Sequence, residues 1–126
     1  MDETWPNHIF LDSTRMSIHE IVRELKSNLG TTAVQTMAGV KDRTSPIKWA
    51  KHDGPQPRPE VETRMRLGDR VWKTIEQAEG RNVALAWLMG ANPRLNEERP
   101  ILCIQQNLAL NVIGSAEAFL NDVASS

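Results

Sequence analysis

Tyrosine is absent from this chain, cysteine occurs once, and no apolar run reaches the length that spans a bilayer. A lone cysteine, Cys103, cannot form an intramolecular disulfide, so packing must hold the core and a reducing compartment is expected. Transmembrane helices need about 18 or more consecutive apolar residues, so no membrane partner is expected. Asp2 and Glu3 stand where a signal peptide would carry basic residues, which points to a cytoplasmic protein. The histidines, His8, His19 and His52, lack zinc-type spacing with one another or with Cys103. No Gly-rich phosphate loop is present, and Ser115, although it follows a glycine, has no preceding strand and no identifiable base. Glu76 and Glu79 are close on a helix, but on a face expected to be wet. No acid–base pair, nucleophile, metal site or cofactor site is recognisable, and a non-enzyme is expected.

With 126 residues, 40% of them hydrophobic and 25% charged, the chain suits one compact unit or two small lobes. A lobe of half this length would be marginal by itself. Net charge is −1 overall, but residues 41–70 carry 8 basic and 5 acidic side chains, a local excess of +3. Cationic character is thus concentrated in the middle third.

Helical spacing dominates. Ser17 and Glu20 form a capping box, after which Ile18, Ile21, Val22, Leu25 and Leu29 give one apolar stripe. Gly30 is expected to end this helix in the left-handed conformation. A short helix capped by Thr31 or Thr32 then carries Ala33, Val34, Met37 and Ala38 inward, and Gly39 permits a turn. A third helix is expected over about Thr44 to His52, with Pro46 in its first turn and Ile47, Trp49 and Ala50 along it. The run from Asp53 to Pro59 holds three prolines and a glycine and reads as a semi-rigid linker. Longer helices come next over Glu60 to Glu79, with Val61, Met65, Trp72 and Ile75 on one stripe, Val71 and Ala78 beside it and Gly80 as its stop, and from Arg81 or Asn82 to Gly90. A helix opened by Pro100 and a closing one over about Ala109 to Val123 complete the chain. No segment sustains a period of two, so the expected class is all-α.

Two short helices around Gly39 suggest a helix-turn-helix. Its second helix would offer Arg43, Thr44, Ser45, Lys48 and Lys51, with Arg58, Arg64 and Arg66 as further phosphate contacts. A solvated surface helix reads the same way, and Asp42 and Asp53 flank the segment and would repel phosphate. Trp72 and Trp87 are expected in the core, Trp49 as the anchor of the third helix, Trp5 at an interface, and Cys103 as a small buried thiol.

The stretch Trp87-Leu88-Met89-Gly90-Ala91-Asn92-Pro93-Arg94-Leu95, followed by Pro100-Ile101-Leu102, has a mechanism of its own. Asn92 can bond its own backbone two residues on and so is expected to cap the preceding helix, Pro93 sets the exit direction, Leu95 can fold back on Trp87, and Glu97 and Glu98 suit the positive end of the next helix. The order of elements over residues 60–126 resembles the toxin-binding domain of the Xre/MbcA/ParS-type antitoxins. Residues 17–126 resemble, more loosely, that domain with its preceding Xre-like helix-turn-helix. Asn107 and Leu108 stand where the family commonly has a glycine-centred break.

The resemblance implies an N-terminal arm over 1–16, a helix-turn-helix-like lobe with its Pro-rich linker over 17–59, and a toxin-binding domain over 60–126. It implies an antitoxin that occludes the active site of an NAD-degrading RES-domain toxin, forms a homodimer within a larger complex, and represses its own operon at operator DNA. The family places its last helix and tail against the toxin, which carries over to Phe119, Leu120, Asn121 and Asp122 with the tail Val123 to Ser126; Arg94 and Arg99 are candidate polar anchors because arginine is enriched at interfaces, and Asn92 of the turn stands with them. Core packing is the competing reading for Phe119 and Leu120. The alternative function is a helix-turn-helix transcriptional regulator without a toxin partner.

Overall fold

A computed structural model describes residues 16–125. The described residues form seven α-helices and one 3-10 turn: α1 (Ile18–Leu29), α2 (Thr31–Ala38), α3 (Ser45–Trp49), α4 (Pro59–Glu79), α5 (Arg81–Met89), the 3-10 turn (Pro93–Leu95), α6 (Pro100–Gln105) and α7 (Ala109–Ser125). The fold is all-α. Trp5 and the rest of residues 1–15 lie outside the described residues. Met16, assigned to the arm by sequence, belongs to the body: its carbonyl accepts from Arg66 Nη1 at 3.0 Å.

The first helix starts with one half of the expected capping box: Glu20 N–H donates to Ser17 Oγ at 3.2 Å, but the Glu20 carboxylate makes no return bond to the Ser17 N–H. Ile18, Ile21, Val22 and Leu25 are buried on its inner face. Its end differs from expectation. Gly30 adopts φ 90°, ψ 161°, a positive-φ extended conformation essentially reserved for glycine rather than the left-handed helical one. Its N–H bonds back to Lys26 O and its carbonyl accepts from Val34 N–H, so one residue closes α1 and opens α2, and neither Thr31 nor Thr32 acts as the cap. Gly80 repeats the device at φ 92°, ψ 167°, bonded to Glu76 O and Ala84 N–H, to turn α4 into α5. A side chain at either position would face a steric penalty; glycine lets each helix pair meet without a loop.

The third helix is shorter than the spacing suggested. Pro46 lies in its first turn and is buried with Trp49, whereas Ile47 is exposed. The segment after it is tied down. His19 on α1 donates from Nδ1 to Trp49 O at 2.8 Å, since a carbonyl can only accept. That leaves His19 Nε2 to accept from Gln56 Nε2 at 3.2 Å. Arg23 Nε donates to Ala50 O at 3.2 Å and Pro57 is buried. The Pro-rich run is thus a strap along the body, and its last proline, Pro59, is the first residue of α4.

The long helix α4 is the spine. It packs against α1, α2, α5, α6 and α7, and its inner residues Val61, Met65, Leu67, Val71, Trp72 and Ile75 are buried; Ala78 is exposed. Leu25, Val34, Met37, Met65, Leu88, Ile101, Ile104 and Val112 join them in one core cluster. The two lobes drawn by sequence therefore share a single core. Gly68 is the point of closest approach: a Cβ there would stand 2.2 Å from Met37 Sδ.

Polar side chains knit the same joints. Arg64 Nη1 donates to Ala38 O and Gln105 Nε2 to Thr36 O, each at 2.7 Å. The first takes up a carbonyl that the end of α2 leaves unpaired, the second adds to the Gly39 N–H bond on Thr36 O, and together they bind α2 to α4 and α6. Lys73 on α4 lies 3.0 Å from Asp69 and 3.2 Å from Glu24 on α1. Burial works against its charged form, but the two carboxylates outweigh it and hold Lys73 above the ordinary lysine range.

Candidate functional site

The Asn92 turn is built from its own backbone. Asn92 Oδ1 accepts from Arg94 N–H at 2.9 Å, so the asparagine caps the 3-10 turn after it rather than the helix before it. Asn92 O accepts from Leu95 and Glu97 N–H, and Asn92 N–H donates to Glu98 O at 3.1 Å, closing the loop on itself. Asn96 and Glu97 take φ 57° and 67° to make that closure. Leu95 is buried beneath. Glu98 Oε1 accepts from Arg99 N–H at 3.0 Å, next to the N-terminus of α6. Asn107 holds φ 62° between α6 and α7 and accepts from Arg64 Nε at 3.2 Å; asparagine tolerates this conformation better than other side-chain-bearing residues. Asn107 makes the break between α6 and α7.

The closing helix α7 comes back onto this turn. Phe119 packs on Trp87 at a centroid separation of 6.4 Å and a tilt of 44°, within the range at which aromatic rings interact. Arg94 Nη2 and Asp122 Oδ2 pair at 3.1 Å, linking the 3-10 turn to α7. Between them lies a groove of about 510 Å³ lined by Ala86, Trp87, Gly90, Ala91, Asn92, Pro93, Arg94, Ser115, Phe119 and Asp122. Of the residues expected to face a protein partner, Asn92, Arg94, Phe119 and Asp122 meet on this groove. Arg99, Leu120 and Asn121 do not line it; Arg99 and Asn121 are exposed elsewhere and Leu120 is half-buried.

Sequence reasoning placed Trp87 in the core, and it is buried at 8% exposure. What it missed is that the Trp87 indole Nε1–H is shut off from solvent without a hydrogen-bond partner. A buried unsatisfied donor costs about 1–3 kcal/mol. Ser115, set aside as a nucleophile, is buried and lines the same groove. Neither property has a sequence signature, because each depends on where α7 lands.

The segment around α3 and the strap after it carry the candidate phosphate contacts. Arg43, Lys48, Lys51 and Arg58 are exposed, and Ser45 is half-exposed. Thr44 is exposed, but its N–H and hydroxyl both donate to Asp42 Oδ1, at 2.8 and 2.7 Å. Those two bonds, the hydroxyl's first, hold the Asp42 carboxyl below the ordinary carboxylate range, which keeps a negative charge beside α3. Arg64 and Arg66, expected as further contacts, are committed to Ala38 O, Asn107, Glu62 and Met16 O.

Cys103 is buried, and that burial, with the charge of Glu98, pushes its thiol above the ordinary range. This suits packing rather than reactivity. Among the described residues, no helix is long and apolar enough to cross a membrane, and no group of three metal-binding side chains converges. Comparison with protein-family models, with curated proteins and with solved structures finds no match to this chain.

Proposed function

We propose that this chain is an antitoxin that binds an NAD-degrading RES-domain toxin directly and blocks its active site, using the end of the molecule where the Asn92 turn meets α7. One observation carries the reading: the turn that bears the antitoxin-like signature and the closing helix form a single groove, with Trp87 against Phe119 and Arg94 against Asp122. Trp and Arg are the residues most often found as anchors at protein interfaces. In this reading α7 and its tail enter or cover the toxin's active site, and the groove grips the toxin surface beside it. The test is recovery of the chain from its native cytoplasm with partners identified by mass spectrometry. Near-equal recovery of a RES-domain protein supports the proposal; recovery of the chain alone defeats it.

A second reading, a DNA-binding regulator without a toxin partner, draws on the exposed Arg43, Lys48 and Lys51 around α3. Five residues of helix make a short reading head, and Asp42 opposes phosphate beside it. Binding to its own promoter that falls steeply with salt, with no protein partner recovered, would favour this reading.

A further inference from the structure

The outward face of the closing helix is built for contact rather than for water. Leu110 is 86% exposed, and Leu108 just before it 39%. Further along α7, Asn111, Gly114 and Asn121 are exposed and Ala118 is half-buried. A helix turns by about 100° per residue, so Leu110, Gly114 and Ala118 form one ridge of i, i+4 neighbours, with Asn111 and Asn121 on its flanks. No residue from Pro100 to Ala116 is acidic or basic, in a chain of which 25% is charged. Scattered exposed apolar residues are ordinary, but the solvent face of an amphipathic helix carries charged and polar groups, and this ridge has neither. At Gly114 the helix stands open: a Cβ there would meet nothing within 4 Å.

From this we propose that α7 pairs antiparallel with α7 of a second copy of this chain, about a two-fold axis at Gly114. A two-fold contact lays one surface patch on itself, so the patch must be self-complementary, and this ridge is. Residues equally far on either side of Gly114 meet, which sets each Leu110 over the partner's Ala118, large against small, at both ends of the contact. Glycine at the crossing lets the two backbones approach closely. The carboxylates of α7, Glu117 and Asp122, both lie on the C-terminal side of Gly114, so antiparallel pairing sets them against the uncharged N-terminal half of the other helix and brings no like charges together. Phe119, which lines the groove with Trp87, lies about 140° round the helix from Gly114. The pair therefore leaves both grooves open and sends the two C-termini out at opposite ends. The inference does not rest on the antitoxin reading.

The test is the oligomeric state of the full chain, by sedimentation equilibrium over a range of concentrations. Wild type is expected to be a dimer that dissociates on dilution. Leu110→Asp puts a charge over the partner's Ala118, and the dissociation constant is expected to rise about a hundredfold; an aspartate in the first turn of a helix is favourable, so the single chain keeps its fold. Gly114→Leu is expected to abolish the dimer while raising the melting midpoint of the dilute, monomeric chain, since leucine is the better helix former and meets nothing there. Val83→Asp, at an exposed position in the first turn of α5, is expected to leave the dissociation constant unchanged. A wild type that is monomeric at every concentration, a dimer that survives either substitution in α7, or equal loss with Val83→Asp overturns the inference. A monomeric wild type whose binding to a RES-domain protein is lost in Leu110→Asp also overturns it, and assigns the face to that protein instead.

Discussion

Replacing Gly68 with alanine tests the joint between α2 and α4, and the outcome should reverse sign with the residue facing it. In an unobstructed helix interior, alanine stabilises relative to glycine by about 1 kcal/mol. Here the new Cβ would lie 2.2 Å from Met37 Sδ and 2.6 Å from its Cε, well inside contact distance. Met37 is flexible but fully buried, and close-packed cores leave little room to swing aside. Overpacking of this kind costs roughly 1–3 kcal/mol. The balance is a net loss of about 1 kcal/mol for Gly68→Ala, or a fall of roughly 4 °C in the melting midpoint for a domain of this size.

Met37→Ala alone should cost about 2–5 kcal/mol. In that background the methyl at position 68 meets no thioether, so Gly68→Ala should now stabilise by about 1 kcal/mol. Urea unfolding of the four proteins, with the slopes compared to confirm that only the midpoint moves, gives the coupling directly. A Gly68→Ala variant more stable than wild type, or one equally destabilising with and without Met37, would refute the packing argument.

Three further outcomes can be checked. Asn107→Ala should lower stability by about 1–2 kcal/mol, through left-handed strain and loss of the Arg64 bond, with Asn107→Gly losing less; equal losses by thermal melting would show that the strain is unimportant. Because Lys73 is held above its ordinary value of 10.5, its contribution is fully present below the unfolded-state value and is lost as pH rises through the folded-state one; the absence of tyrosine removes the usual competing titration near pH 10. Stability measured from pH 9 to 12 should thus fall more steeply in wild type than in Lys73→Met, and identical slopes would count against the Glu24–Lys73–Asp69 account. Deleting Ala118 to Ser126 removes Phe119 and Asp122 and should abolish neutralisation of the toxin in cells; full protection by a folded truncation would show that the contact surface is elsewhere.

Local chemistry was readable in the chain, and long-range pairing was not. The Ser17 cap, Pro46 and Pro100 in first turns and the Asn92 side-chain bond each involve residues a few positions apart, and each appears where the pattern placed it. Gly30 and Gly80 were recognised as stops, but their conformation was not, because a glycine joining two helices directly and one ending a helix into a loop share the same local signal. Arg64 looked like a phosphate contact since an exposed-looking arginine in a basic stretch has no visible partner; its partners are a carbonyl 26 residues back and an asparagine 43 residues on. His19 was invisible for the same reason, bonding across 30 and 37 residues. At the groove, Asn92 and Arg94 came from the turn, whereas Phe119 and Asp122 came from the resemblance alone, and the unpaired indole of Trp87 from neither.

The shared spine has a consequence for regulation. Signals pass between distant surfaces through an element with two arrangements of similar energy. Here α4 packs under the α5–α7 groove and against α1 and α2, which carry α3, the strap from Asp53 to Arg58 is held by His19, and the carbonyls that end α2 are clamped from α4 and α6. The basic surface near α3 and the groove at α7 are then handles on one lever. Occupancy of one surface would then reach the other through orientation and the number of copies assembled rather than through a change of shape within the chain.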